Sequence, residues 1–235
     1  MSPSPEVRYS LVIPAYNEEK RIVSFFDTIT GFDGELIVVC DGTDATAEIV
    51  GQIARKRTEL RIRCLRFERR LGKGGGVIAG LMAAQAPLVG YVDADGSTSL
   101  EELKRLFSYL GAYDGVFGSR WVPGSHLQVR QGMLRQLESR GFNVFIRLVF
   151  GLDYRDTQCG AKVFKKSAID EVLPLMVSRG FEFDVELLWR LAGAGYKIGE
   201  FPIAWQNKGD SRVKKRDMIR MLTGLVRVRL HAGKP

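Results

Sequence analysis

Two aspartates one residue apart, Asp93 and Asp95, stand directly after the apolar run Leu88-Val-Gly-Tyr-Val92 and before Gly96-Ser97. Carboxylates at that spacing can share a divalent cation and a diphosphate. Mg²⁺ or Mn²⁺ takes hard oxygen ligands and keeps waters and substrate phosphates in its shell. The same triplet also makes an ordinary solvated turn. Its place at the carboxyl end of a buried strand, where open α/β sheets bind ligands, favours the metal reading. Asp41-Gly42-Thr43-Asp44 follows a second apolar run, Glu35 to Cys40. Asp41 there can accept hydrogen bonds from a nucleobase imide or cap the next helix, and Asp44 is the better cap. Lys73-Gly74-Gly75-Gly76 opens a helix. Its N–H groups can face an anion, or the glycines can serve close helix–sheet packing. The GxxxxGK[ST] pattern of a P-loop is missing.

Asp156-Thr157-Gln158-Cys159-Gly160 and Phe181-Glu182-Phe183-Asp184-Val185-Glu186 set polar groups among aromatic and turn residues. Cys159 has no neighbouring His or second Cys, which speaks against a nucleophile. His126 and His231 are isolated, and no Ser/His/Asp arrangement is supported. Cys40, Cys64 and Cys159 form no CxxC pair, so they read as reduced thiols rather than a zinc site or disulfide framework.

The elements that position these residues follow from hydrophobic periodicity. Strands are expected over 9–14, 35–40, 61–67, 88–92 and 114–119, and helices over 18–30, 43–57, 76–85 and 100–110. This alternation means a parallel sheet covered on both faces, with its polar clusters on one edge. Beyond Arg120 a helix over 133–152, strands over 157–165 and 197–205, and a helix over 183–194 are expected. A basic amphipathic helix over 216–230 closes the chain. Residues 1–213 read as one domain containing an interfacial helix over 133–152, and residues 214–235 as a basic C-terminal helix and tail.

The 235 residues carry a net charge of +8, of which +7 lies between Asn207 and Pro235. Such a tail can meet nucleic acid, anionic lipid or a phosphorylated substrate, but it lacks the aromatic interleaving of a nucleic-acid reader. The N-terminus lacks a signal-peptide pattern, and no apolar run is long enough to span a bilayer.

Taken in order, Ile13-Pro14-Ala15-Tyr16-Asn17-Glu18, Asp41-Gly42, Gly72-Lys73-Gly74, Asp93-Ala94-Asp95, Gly118-Ser119-Arg120 and Asp156-Thr157-Gln158-Cys159-Gly160 resemble the family 2 glycosyltransferases of GT-A fold. The resemblance covers about residues 8–213 and is strongest to the polyprenyl-phosphate branch, the dolichyl-phosphate glucosyl- and mannosyltransferases. "RDTQCG" and "FEFDVELL" favour the glucosyltransferase-like subgroup. The resemblance implies an α/β three-layer, Rossmann-like domain with a mostly parallel sheet, from an enzyme that is inverting, metal-dependent and peripheral on the cytoplasmic face of a membrane. It gives Pro14, Tyr16, Asn17 and Glu18 to the nucleoside and Asp41 to the base. Lys73, Asp93, Ala94, Asp95 and Arg212 fall to the nucleotide sugar, with Asp93 and Asp95 holding Mg²⁺ or Mn²⁺. Arg120 and Arg135 fall to the acceptor phosphate.

Two departures leave the nucleotide open: Cys40 stands where the family often has a second Asp, and Ser97 where the mannosyltransferases commonly have Gln. The expected reaction moves glucose or mannose from a UDP- or GDP-sugar to a polyprenyl phosphate. A phosphate acceptor is already ionised near neutral pH and needs no strong base. If a base exists, Asp184 is the first candidate and Glu186 the second, each with a structural alternative. A glycosyltransferase with a soluble, protein or glycan acceptor would share every nucleotide motif. A pyrophosphorylase would need a Gly-rich loop near Pro14, and a catalytically dead binding module is at odds with intact Asp93 and Asp95.

Overall fold

The computed structural model describes residues 7–127, 133–206 and 215–231, without the side chains of 127, 133–140, 215–216 and 231. Arg212 therefore lies outside the described residues, as does the side chain of Arg135. The chain runs β1 (Tyr9–Ala15), α1 (Ile22–Asp27), β2 (Gly34–Cys40), α2 (Thr46–Lys56), β3 (Arg61–Arg66), α3 (Lys73–Ala83), β4 (Leu88–Val92), α4 (Leu100–Ser108) and β5 (Gly115–Ser119). It continues β6 (His126–Leu127), α5 (Met133–Phe150), β7 (Ala161–Lys165), α6 (Lys166–Val172), α7 (Phe183–Gly193), β8 (Ile198–Pro202), β9 (Ala204–Trp205) and α8 (Lys215–His231).

Seven strands form one sheet in the order β3-β2-β1-β4-β7-β5-β8. All pairings are parallel except those of β7, which runs antiparallel to both β4 and β5. The sheet is mostly parallel, as expected. Strand alternation splits the core into two layers. Leu11, Ile13, Leu36, Val38 and Val92 pack with Phe25, Phe26, Val50, Leu103 and Leu106 of α1, α2 and α4. Val12, Ile37, Val39, Tyr91 and Phe164 pack on the other side with Val77, Ile78 and Leu81 of α3, Ile169 of α6 and Phe183 and Leu187 of α7.

Three local differences have physical causes. Helix α3 starts at Lys73, so the glycines lie inside it rather than before it. Gly74 N and Gly75 N donate to the carbonyls of Gly180 and Arg179, so of the two readings of these glycines the anion-facing one loses two N–H groups. Close packing is what these glycines provide: a Cβ on Gly74 would sit 2.5 Å from Phe183 Cβ. Strand β7 starts at Ala161 rather than 157, because 156–160 is held as a loop by the contacts described below.

Helices α5 and α8 pack on the outer side of α7. Ile146, Phe150, Val185, Leu188, Trp189, Leu225 and Val228 form this third core cluster. That corrects part of the interfacial reading. Phe150 stacks edge-on against Trp189, and Phe142 and Phe145 pack on the same cluster. Met221 and Leu225, on the apolar side of α8, are buried. The apolar side chains left outside are Val144, Leu148, Ile219, Val226 and Leu230.

Helix α3 lies so close to β1 that a Cβ on Gly80 would fall 2.3 Å from Val12 Cγ1. Gly80→Ala should lose about 1–3 kcal/mol to overpacking. Gly111→Ala, with nothing within 4 Å of the new carbon, should stay within about 0.5 kcal/mol of wild type. Urea unfolding of the two variants checks the contrast, and equal stability would contradict this packing.

Candidate active site

Strand order reverses at β1, which has β2 on one side and β4 on the other. Ligands of open α/β sheets bind beyond such a point, at the carboxyl ends of the strands. Tyr16-Asn17 leaves β1 there, Asp41 leaves β2, and Asp93 leaves β4. Asn17 takes φ +54°, and its Oδ1 accepts from Thr43 N at 2.9 Å and Asp44 N at 3.3 Å, tying the β1 turn to the β2 turn. Asp44 Oδ1 accepts from Thr46 N, although the N-cap of α2 is Ala45 rather than the expected Asp44. Glu18 is buried, and its carboxylate is held by Arg21 through two bonds of 2.8 Å. Asp41 Oδ2 accepts from Leu71 N and Gly72 N at 2.8 and 3.2 Å, which fixes the entry to α3. The Arg70 guanidinium lies 4.1 Å from the centre of the Tyr16 ring.

The entry to α3 delivers Lys73 to the paired aspartates. Its Nζ is 3.0 Å from Asp93 Oδ1 and 3.8 Å from Asp184 Oδ2. Burial alone would lower the Lys73 pKa, but Asp93 and Asp184 outweigh it and raise it above the ordinary lysine value. Burial pushes the Asp93 carboxyl up, Lys73 opposes that, and Asp95 adds to it. Asp95 Oδ1 accepts from Ser97 N at 2.9 Å, while Ala94 between the aspartates is buried. Asp93 N donates to Gly160 O, and the Asp93 carboxylate lies directly on the Gly160 α-carbon.

Asp184 stands in the first turn of α7 and is 1% exposed. Its Oδ1 accepts from Lys162 Nζ at 2.6 Å and from the Tyr91 hydroxyl. Lys162 is 0% exposed and also donates to the Cys159 carbonyl at 2.6 Å. Sequence reasoning missed Lys162 and Tyr91. A lysine within the apolar run Ala161-Lys-Val-Phe was the available signal, since a buried ammonium requires a partner. Glu186 is not brought to this group. Its carboxylate accepts from Val177 N, Ser178 N, the Ser178 hydroxyl and Arg190 Nε, holding residues 177–178 against α7.

On the far side of Gly160, the Arg120 guanidinium closes on Asp156. Nε and Nη2 reach the two carboxylate oxygens at 2.7 and 2.8 Å, and the Arg120 N–H adds a third bond at 2.9 Å. The fork expected to grip a phosphate is therefore spent mainly on a buried carboxylate. Arg155 N and Asp156 N in turn donate to Glu200 on β8. Burial and Asp156 push the Cys159 thiol up to about 12, which leaves it inert near neutral pH.

Asp93 and Asp95 offer the hard oxygens that suit a divalent cation, and Asp93 is already paired with the Lys73 ammonium. Among the described residues no cluster of three or more His, Cys, Asp or Glu forms. Such a cation would take only Asp93 and Asp95 from the protein, with phosphate oxygens and water completing its shell.

The profile of glycosyl transferase family 2 matches residues 10–173. The chain belongs to glycosyl transferase family 2. Glycosyltransferase AglD of Haloferax volcanii is 34% identical over 230 residues, 93% of this chain but 36% of AglD, so the chain spans about a third of that relative. A dolichyl-phosphate beta-glucosyltransferase of Trichomonas vaginalis is 34% identical over 98% of this chain and 73% of its own length. Among solved structures, the mannosyltransferase PcManGT of Pyrobaculum calidifontis, in complex with GDP-Man and Mn²⁺, superposes with a TM-score of 0.69. It shares 18% identity over 99% of this chain and 66% of its own, so the likeness shows the fold. The family 2 chain described here thus has an α/β fold of GT-A type.

The Gly160 contact gives a direct check of the site. A Cβ there would stand 1.9 Å from Asp93 Oδ2. Gly160→Ala should displace that carboxylate and weaken Mn²⁺ binding at least ten-fold, with a circular dichroism spectrum like wild type. Unchanged Mn²⁺ affinity, measured by paramagnetic resonance, would show that Asp93 is not held as described.

Proposed function

We propose that this family 2 enzyme transfers a hexose, glucose or mannose, from a UDP- or GDP-sugar to a polyprenyl phosphate, with inversion at the anomeric carbon. The observation that carries the reading is the convergence of Asp93, Asp95 and Lys73 at the end of β4, beside Asp41 and Tyr16. Pro14 and Tyr16 line the nucleoside, and Asp41 meets the base through Oδ1, since Oδ2 holds the 71–72 turn. Asn17 and Glu18 shape that wall. Asp93 and Asp95 hold Mg²⁺ or Mn²⁺, which when bound supplies counter-charge for the leaving diphosphate. Lys73 adds a second positive charge, and Arg212 is assigned to the nucleotide. An acceptor phosphate oxygen bonds to the anomeric carbon as the carbon–oxygen bond to the nucleoside diphosphate breaks. Arg135, with the remaining Nη1 of Arg120, orients that acceptor. The Trichomonas relative's name supports the lipid acceptor, and the GDP-Man of PcManGT the sugar-nucleotide donor.

Mg²⁺- or Mn²⁺-supplemented enzyme, offered a panel of UDP- and GDP-hexoses with polyprenyl phosphate, should yield glycosylated lipid phosphate. Asp95→Asn should lower turnover at least 100-fold with the fold intact. Product only on a soluble acceptor, or full activity in the variant, would overturn the reading.

A lipid acceptor requires a membrane approach. Among the described residues no helix is long and apolar enough to cross a bilayer. The proposal is that α5 and α8, joined where Arg229 Nε donates to Val149 O, dock on an anionic cytoplasmic leaflet as a peripheral contact. Leu148 is 82% and Leu230 72% exposed, and Arg220 and Arg227 are exposed on α8. Each basic residue near such a leaflet adds about 1 kcal/mol. Truncating α8 would open the core at Leu225 and Val228, so surface substitutions are the cleaner test. Leu148→Glu with Leu230→Glu should float poorly with anionic vesicles at low salt, where wild type floats. Equal flotation of both would remove these helices from the contact.

A further inference from the structure

Four charged side chains alternate in sign through the site: Lys162, Asp184, Lys73 and Asp93. Neighbours lie 2.6, 3.8 and 3.0 Å apart. The first three come from separate elements, β7, α7 and α3, and Asp93 directly follows β4. The spacing is uneven in an informative way. Asp184 Oδ1 is filled by Lys162 and Tyr91, while Oδ2 faces Lys73 from beyond hydrogen-bond range. Lys73 meanwhile bonds Asp93, the carboxylate a divalent cation would need.

We propose that Lys73 is an exchangeable counter-ion: it neutralises Asp93 in the metal-free protein and moves onto Asp184 Oδ2 when a divalent cation takes Asp93. The proposal rests on the assignment of Asp93 and Asp95 to the metal. An ammonium and a dication repel each other at one carboxylate, and the lysine stem has the rotatable bonds to carry Nζ the short distance to Asp184. Lys162 and Tyr91 hold Asp184 still to receive it. They come from adjacent strands, with Tyr91 paired to Lys162 across β4 and β7. Asp184 is then a positioning residue and not a proton acceptor. Its oxygens are committed to two buried donors and to Lys73. The relocated ammonium stays beside the metal, where the diphosphate arrives.

Mn²⁺ binding to the nucleotide-free protein, followed by the resonance signal of free Mn²⁺, tests this by sign. Lys73→Met removes the competing cation and should tighten Mn²⁺ binding by roughly ten-fold. The same variant should weaken binding of UDP and GDP in the presence of Mn²⁺. Asp184→Asn removes the place to which the ammonium retreats and should weaken Mn²⁺ binding several-fold. In the Lys73→Met background that second effect should vanish, because no ammonium remains to relocate. Unchanged or weaker Mn²⁺ binding in Lys73→Met would overturn the exchange. An equal Asp184→Asn effect in both backgrounds would do the same, reducing Asp184 to a distant charge. If Asp184→Asn does not fold with Lys162 unpaired, Asp184→Asn with Lys162→Met replaces it in both backgrounds. Asp95→Asn separates the two readings. If it binds Mn²⁺ like wild type, the metal assignment itself is wrong, and the exchange falls with it.

Discussion

The ammonium of Lys162 and the carboxylate of Asp184 meet at 2.6 Å in the layer between the sheet and α7, both closed to water. Removing one partner from such a pair typically costs roughly 3–5 kcal/mol, because the other is left charged and unpaired. The pair therefore fixes the N-terminus of α7 over β4 and β7. Lys162 also holds the Cys159 carbonyl, so the same ammonium shapes the loop that ends at Gly160. That loop sets the position of Asp93, through the Gly160 carbonyl and through the bare α-carbon on which the carboxylate rests. From one buried ion pair, the positions of Asp184, Gly160, Asp93 and Lys73 follow in turn.

A second buried pair flanks the loop on its other side. Arg120 is bound at three points to Asp156, and burial, which alone would lower its pKa, is outweighed by that carboxylate. Glu200 receives the N–H groups of Arg155 and Asp156, joining the loop to β8. Segment 156–160 is thus clamped at both ends by carboxylates and cations. Held this way, it cannot extend β7, and strand pairing starts only at Ala161. A site of this kind is preorganised before any substrate arrives, which suits chemistry that relies on placing charge around a diphosphate.

The helices α5 and α8 divide their apolar residues between two tasks. Phe150, Leu225 and Val228 complete the core around Trp189, and Leu148, Val226 and Leu230 remain in solvent. An amphipathic pattern states that a helix has an apolar side. It does not state whether protein or lipid covers that side, because both burials remove the same area from water.

Strand periodicity and turn chemistry are local, and they placed β1 to β5 and their helices within a few residues. They also put Asp41 and Asp93 on one edge, because the residues after parallel strands emerge together. The spacing of Asp93 and Asp95, read together with their place at the carboxyl end of a strand, pointed to a metal and a diphosphate. What the chain order could not give was the antiparallel insertion of β7 between β4 and β5, which depends on a long excursion through α5. That insertion sets Lys162 beside Tyr91 and beneath Asp184, residues separated by 71 and 22 positions in a buried contact no local rule anticipates. Arg120 likewise closes on Asp156, 36 positions away, whereas Glu186 finds Arg190 and Ser178 close by in the chain. A residue's type tells what charge it can offer. Which opposite charge it meets is decided only when distant strands are packed, since burial forces each ionised group to a partner.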